Sequence, residues 1–188
     1  MVVNLQLQKC SNPARKTNKK KRMKVPTPAE LPALASDKRK ENRQFFARLR
    51  KKTPKNLDQQ VAQLHDEVFE VVDCLQCANC CKTISPVFTD RDIARIAKHL
   101  RLKPADFTEQ YLHLDDEQDY VLNQAPCPFL GPDNYCSIYE VRPKACREYP
   151  HTDRPGFRKK LNLTLKNTEV CPAAYLIVER MKGERSNP

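Results

Sequence analysis

Glycine and tryptophan are scarce in this chain of 188 residues, which has three glycines and no tryptophan. Three glycines argue against the glycine-rich loops that wrap nucleotide phosphates. The motifs G-x-S-x-G and H-E-x-x-H, typical of serine hydrolases and zinc proteases, are also absent. No apolar run approaches membrane-spanning length, and residues 1–7 contain no secretory hydrophobic region. We therefore expect a cytoplasmic protein that makes no membrane contact.

The core of the protein is expected to be small, because hydrophobic residues are 39% of the chain and charged residues 30%. Small cores are commonly supplemented by metals or by disulfides. The chain has nine cysteines, which could serve either purpose. Thiols stay reduced in the cytoplasm, so clustered cysteines there favour a metal over disulfides.

The positive charge of the chain is concentrated at its N-terminal end. Residues 1–60 hold 17 Lys or Arg and four Asp or Glu, a net charge of +13, whereas residues 61–188 hold 17 and 19, a net charge of −2. Residues 1–35 mix basic and proline-rich sequence without periodicity, which predicts a disordered leader. Such a leader can bind nucleic acid through its phosphates, or it can be a solvated tail.

Hydrophobic spacing predicts helices in most of the remaining chain. A basic helix from Asp37, capped by Ser36 and ended before Pro54, would make residues 36–56 a helix and linker. An amphipathic stripe then predicts a helix over residues 57–73, which opens a cysteine-cluster domain over residues 57–182.

Shorter elements are expected after the cysteine turn. Thr89 to Asp92 resembles a capping box, and Pro104 suits the first turn of another helix. Residues 119–122 and 161–165 are predicted as strands, and Thr168 as the cap of a final helix. The predicted fold is mostly α with a few short β-strands, a small irregular metal-stabilised single domain with a basic N-terminal extension.

Cysteine spacing is the strongest functional signal. Cys74, Cys77 and Cys80 form C-x-x-C-x-x-C, as at the start of a bacterial ferredoxin motif, but Cys81 follows at once instead of a fourth spaced cysteine. No downstream C-x-x-C completes a zinc ribbon. Spacing leaves open whether one or two metal sites form, and Cys10 is assigned no role. The predicted metal ligands are Cys74, Cys77, Cys80, Cys81, Cys127, Cys136, Cys146 and Cys171.

Cations near the cysteines would offset the negative charge that a tetrathiolate site retains. The candidates are Lys82, Arg142, Lys144 and Arg147. His151 is the histidine nearest to the cysteine-rich sequence, but its ligand role is disfavoured.

The motifs around these cysteines resemble the YkgJ-type cysteine-cluster family. They are C-x-x-C-x-x-C-C from Cys74, C-P-F-L from Cys127, C-S-I-Y-E-V-R-P from Cys136 and C-R-E-Y-P from Cys146. Members are described as zinc- or iron-chelating domain proteins, which implies a bacterial metal-binding protein. The pattern is distantly similar to the cysteine region of flagellin lysine N-methylase, where it is thought to hold an iron–sulfur cluster. That enzyme is longer, and its activity is not carried over.

Three functions follow as hypotheses. The favoured one is a protein that binds an iron–sulfur cluster or iron, with a redox or sensing role and an electron-transfer partner. The second is a structural zinc domain that binds another protein. The third is a metal-dependent enzyme related to lysine N-methylases. Nucleic acid is an additional expected partner of the basic leader.

Overall fold

A computed structural model describes residues 24–183 of the chain, and its helices and strands agree with the predicted mostly α fold. Cys10 and residues 1–23 of the predicted leader lie outside the described residues. The helices are α1 (Leu31–Lys51), α2 (Leu57–Phe69), α3 (Cys74–Cys77), α4 (Asn79–Thr83), α5 (Asp90–Leu100), α6 (Pro104–Tyr111), α7 (Lys144–Glu148), α8 (Leu161–Asn167) and α9 (Pro172–Gly183). The strands are β1 (Leu112–Leu114) and β2 (Tyr120–Leu122), and short 3-10 helices span Tyr139–Val141 and Phe157–Lys160.

A first hydrophobic core forms where α9 packs against α1 and α2. The predicted stripe of α2 faces this core, with Leu57, Val61, Leu64 and Val68 all buried. Most of the length of α9 is buried as well, which makes it the central helix of this half of the protein. Each large apolar side chain buried here contributes about 1.5–3 kcal/mol through removal from water.

A second hydrophobic core lies among α5, α6 and the β1–β2 hairpin. Phe107 on α6 is completely buried, and its ring lies 6.2 Å from that of Phe88 and 6.3 Å from that of Phe129. The hairpin is antiparallel, with Leu112 opposite Leu122. None of the helices described between residues 24 and 183 is long and apolar enough to cross a membrane.

The first helix begins earlier than predicted. α1 starts at Leu31 after Glu30, so Ser36 lies inside the helix and the predicted cap there was wrong. Pro32 belongs to the first turn of α1. Proline is tolerated there because the backbone N–H groups of a first turn have no acceptor within the helix, so the missing N–H costs no hydrogen bond. Leu31 and Ala35 are buried in the protein interior, so residues 31–35, assigned above to the leader, form the start of a packed helix.

Two further element predictions were wrong near the C-terminus. Residues 161–165, predicted as a strand, lie in α8, which packs against α1 and the 3-10 helix Phe157–Lys160. Thr168 ends α8 instead of capping α9, which begins at Pro172. A short apolar run does not distinguish a strand from a buried helix, and tertiary packing decides here.

The predicted capping box is present, and its acidic member also connects distant parts of the chain. Asp92 is 1% exposed and accepts hydrogen bonds from Thr89 at 2.7 Å and 3.1 Å. It also accepts one from Arg95 at 2.5 Å and one from the backbone N–H of Lys144 at 3.1 Å. Arg95 in turn donates to the carbonyl of Arg142 at 3.0 Å. Asp92 thus fixes the start of α7 against α5.

Replacement of this carboxylate should destabilise the fold. We expect Asp92→Ala to lower the free energy of unfolding by about 2–3 kcal/mol, because Arg95 and the Lys144 N–H lose their charged acceptor. Asp90→Ala is the matched control, since Asp90 is exposed in the same first turn and should cost less than about 1 kcal/mol. Urea unfolding of both variants at neutral pH measures the difference. Equal losses for the two variants would contradict the proposed role of Asp92.

The same carboxylate makes stability depend on pH. Burial opposes its ionisation, but the hydrogen bonds from Thr89, Arg95 and Lys144 hold the pKa of Asp92 below its ordinary value. Its contribution should therefore be complete above about pH 4, the range of an unperturbed aspartate, and should be lost as pH falls through the lower folded pKa. Asp92→Asn should flatten this part of the curve of stability against pH relative to the wild-type protein.

Candidate metal centre

Two short helices present the first four cysteines. The Asp73 carboxylate caps α3 by accepting the backbone N–H groups of Leu75 at 2.9 Å and Gln76 at 3.4 Å. Ala78 joins α3 to α4 in the left-handed conformation with φ of 45°, which is unfavourable for a residue with a Cβ. This joint gives α3 and α4 different directions, so Cys74 and Cys77 lie on one helix and Cys80 and Cys81 on the next.

The adjacent thiols of Cys80 and Cys81 interact directly, with 4.0 Å between their Sγ atoms. A hydrogen bond to Cys81, together with burial, raises the pKa of the Cys80 thiol. The same hydrogen bond, helped by the charge of Lys82, lowers the pKa of Cys81 to about 7. Either thiol of this pair can be the donor, and the positive charge of Lys82 favours ionisation of Cys81.

Two cysteines lie in the central loop, residues 123–138, which connects β2 to the 3-10 helix Tyr139–Val141. The backbone N–H of Cys127 donates to the Cys81 carbonyl at 2.8 Å. Cys136 is opposite Leu130 in an isolated antiparallel bridge. The backbone N–H groups of Phe129 and Leu130 lower the pKa of Cys127 against the larger effect of burial, and that of Ile138 does the same for Cys136. Such N–H donors stabilise the thiolate form of a ligand.

The last two cysteines come from α7 and from the residue that precedes α9. Cys146 lies on α7, which Asp92 holds in place. Cys171 is buried, and its Sγ accepts the backbone N–H of Ala174 at 3.4 Å. The side-chain amide of Asn79 donates to the Val170 carbonyl at 2.7 Å, which fixes α4 against this part of the chain.

Burial disfavours the charged form of these thiols. It raises the pKa of Cys127 to about 11, and the pKa values of Cys146 and Cys171 to about 12. A thiolate is the form that binds metal, and a bound cation compensates the cost of ionising a buried thiol. The donor set therefore suits a metal that prefers sulfur, such as zinc or the iron of an iron–sulfur cluster.

The predicted ligands are brought to one region but not onto a common point. All eight are free thiols. Among residues 24–183, no three His, Cys, Asp or Glu side chains lie close enough together to hold one metal ion. Rotation of a cysteine between its staggered rotamers moves the sulfur without moving the backbone. Two hydrogen bonds, from the Cys127 N–H to the Cys81 carbonyl and from the Asn79 side chain to the Val170 carbonyl, hold the segments of Cys127 and Cys171 beside α4.

Of the four predicted cations, two act on thiols and a third, Lys144, pairs elsewhere. Lys82 lowers the pKa of Cys81, and Arg142 lowers the pKa values of Cys136 and Cys146 against the stronger effect of burial. The Arg142 guanidinium also lies 3.7 Å above the centre of the Tyr139 ring. Lys144 instead forms an ion pair with Glu148 at 3.9 Å.

Tyr149 was not singled out from the sequence, although it lies in the C-R-E-Y-P motif. Its hydroxyl is buried and finds no hydrogen-bond partner within the part of the chain that the structure describes. Burial raises the pKa of Tyr149, and the charges of Cys171, Cys80, Cys77 and Cys74 raise it further. A buried hydroxyl normally has a partner. Burial of the Tyr149 hydroxyl and its distance from the thiols depend on the tertiary fold, so they could not be predicted from the sequence. The only signal in the sequence was that Tyr149 lies three residues after Cys146.

His151, the histidine nearest to the cysteines in sequence, is directed to an acidic neighbour. Its Nδ1 lies 3.9 Å from a carboxylate oxygen of Glu148. Burial lowers the pKa of His151, and the charge of Lys160 acts in the same direction.

Comparison with known protein families agrees with the motif resemblance. A family model, “CxxCxxCC: Putative zinc- or iron-chelating domain”, matches residues 73–172, which is more than half of the chain. The matched segment contains all eight predicted ligands and Tyr149. Comparisons with curated proteins and with solved structures give no match. The chain belongs to the CxxCxxCC family.

Proposed function

We propose that this protein binds metal through cysteine thiolates and that the bound group is an iron–sulfur cluster. The observation that carries the proposal is that long-range hydrogen bonds bring Cys127 and the segment before Cys171 to the α3–α4 turn, which itself carries four of the eight free thiols. The proposed ligands are Cys74, Cys77, Cys80, Cys81, Cys127, Cys136, Cys146 and Cys171.

Backbone N–H groups directed at sulfur support this assignment. The N–H of Ala174 donates to the sulfur of Cys171, and backbone N–H groups lower the pKa values of Cys127 and Cys136. Hydrogen bonds of this kind stabilise thiolates and tune the reduction potential of iron–sulfur clusters. A buried cysteine that served only as a small apolar side chain would not need them.

The ferredoxin-like spacing favours iron–sulfur over zinc. Cys74, Cys77 and Cys80 follow C-x-x-C-x-x-C, and no second C-x-x-C is present to build a zinc ribbon. A bound cluster would supply one-electron chemistry, suited to electron transfer or to sensing of redox state or iron. The partner would then be an electron-transfer protein.

A structural zinc domain is the second candidate. The position of the α3–α4 turn favours this function. The turn follows α2, which belongs to the first core, and α4 contacts the central loop, which packs against the second core. Zinc at this position would hold the two cores together, and the function would be protein binding. The enzyme hypothesis, a relative of lysine N-methylases, rests on the resemblance alone.

The metal content of the native protein tests the choice of metal. We expect anaerobically purified protein to be coloured and to contain iron and acid-labile sulfide, because thiolate-ligated clusters absorb visible light. Elemental analysis and the visible spectrum are measured on one sample. Colourless protein with stoichiometric zinc would leave the structural candidate in place, and protein that binds neither metal after reconstitution would contradict both.

Loss of one ligand tests the thiol assignment. We expect Cys77→Ser to lose half or more of the bound metal and to unfold at a lower temperature, because metal binding and folding are coupled. Cys10→Ser is the matched control and should change neither property. Metal analysis and thermal unfolding by circular dichroism measure both effects. Full metal retention in Cys77→Ser would count against the site.

The basic N-terminal region remains a predicted nucleic-acid contact. Phe46 and Leu49 of α1 are buried in the first core, so a deletion that removes α1 would also disturb the fold. Removal of residues 1–23 alone is the informative truncation, and the salt dependence of binding to an unrelated DNA duplex is the appropriate measurement.

A further inference from the structure

We propose that the eight cysteines form two separate four-thiolate sites, and that the peptide between Cys80 and Cys81 divides them. The inference rests on the proposed metal-binding function and specifies its ligand sets. The first set is Cys74, Cys77, Cys80 and Cys171. The second set is Cys81, Cys127, Cys136 and Cys146.

The two hydrophobic cores separate the same cysteines. Cys171 is a buried member of the first core, together with residues of α1, α2 and α9. Cys127 and Cys136 pack against the second core, formed by α5, α6 and the hairpin. The ligands that are distant from the α3–α4 turn in sequence therefore come from two different parts of the protein. Cys171 comes from the first core, and Cys127 and Cys136 come from the second.

Hydrogen bonds connect α4 to both groups of distant ligands. Asn79, next to Cys80, donates to the carbonyl of Val170, the residue before Cys171. Cys81 accepts the backbone N–H of Cys127 at its own carbonyl. Successive residues of a helix are rotated by about 100° around its axis, so the Cα–Cβ bonds of Cys80 and Cys81 leave α4 in different directions, although their Sγ atoms lie 4.0 Å apart.

The remaining cysteines follow the same division. Cys74 and Cys77 lie on α3, which begins two residues after Val72, a buried member of the first core. Cys146 lies on α7, whose first residue donates its backbone N–H to Asp92 of α5 in the second half of the protein.

The surroundings of the two sets differ. Lys82 and Arg142 place positive charge beside thiols of the second set. Tyr149 packs against the first core, of which Cys171 is a member, and its buried hydroxyl has no partner among the described residues. In the proposed division, this hydroxyl would donate a hydrogen bond to a thiolate of the first site once the metal is bound.

Metal stoichiometry of paired variants tests the division. Cys171→Ser removes a ligand of the first set and Cys146→Ser one of the second, and each variant should retain half of the wild-type metal. The double variant should retain none, whereas Cys80→Ser with Cys171→Ser should still retain half. Native mass spectrometry of the full-length protein counts the bound metal, and circular dichroism checks that each variant is helical.

A single shared site predicts the opposite pattern. Either single variant would then lose all the metal, which would overturn the division but leave metal binding intact. Wild-type protein without metal after reconstitution would overturn both the division and the proposed function. The two failures are therefore distinguishable in one experiment.

Alkylation of the wild-type protein tests the division without any variant that might fail to fold. A metal chelator is added in steps, exposed thiols are alkylated with iodoacetamide, and modified cysteines are mapped by mass spectrometry. The cysteines should become reactive in two groups of four whose members match the two sets. Simultaneous exposure of all eight, or groups that mix the sets, would overturn the division.

Tyr149→Phe tests the hydrogen bond to the first site. This variant should bind the wild-type amount of metal but release half of it to the chelator several-fold faster, because the first site loses a donor. Tyr135→Phe, an exposed tyrosine next to Cys136, is the matched control and should release metal at the wild-type rate. Unchanged release from Tyr149→Phe, or faster release of all the metal, would contradict this role.

Discussion

Thiolates gathered inside a protein repel one another and lose the hydration that stabilises their charge, so their ionisation needs a cation nearby. This constraint acts strongly on Cys146 and Cys171, whose thiols burial holds at pKa values of about 12. Lys82 and Arg142 offset only part of the charge, and only near the second set. A metal bound by the thiolates would supply the rest of the positive charge. In the proposed function, the cysteine region and the fold therefore depend on each other.

The position of the cysteine turn explains how a chain with a limited apolar content can hold two cores together. One core uses α1, α2 and α9, and the other uses α5, α6 and the hairpin. Between them, α4 is bonded to the segment before α9 through Asn79 and to the central loop through Cys81. Metal at this place would add cross-links between segments distant in sequence, and such cross-links act mainly by restricting the unfolded chain.

Sequence patterns predicted the features that depend on neighbouring residues. The stripe of α2 and the Thr89–Asp92 capping box are local, and both are present. The strand predicted over residues 161–165 was wrong because α1 and the adjacent 3-10 helix bury one side of a helix there. The ligand types could be predicted from spacing, but their proposed division could not, because it depends on which core carries each distant cysteine. The environment of the Tyr149 hydroxyl is likewise a property of tertiary packing.

The proposed division also gives the two sites different electrostatic environments. Asp73 caps α3 beside Cys74 and adds negative charge to the first site, whereas Lys82 and Arg142 add positive charge to the second. Net charge and hydrogen bonds to sulfur set the potential of a thiolate-bound cluster. Positive neighbours stabilise the reduced, more negative state, so the second site would accept an electron before the first. Cys80 and Cys81 are consecutive residues of α4, so this helix would carry one ligand of each site. The two sites would therefore be adjacent, and a change of charge at one would alter the reduction potential of the other.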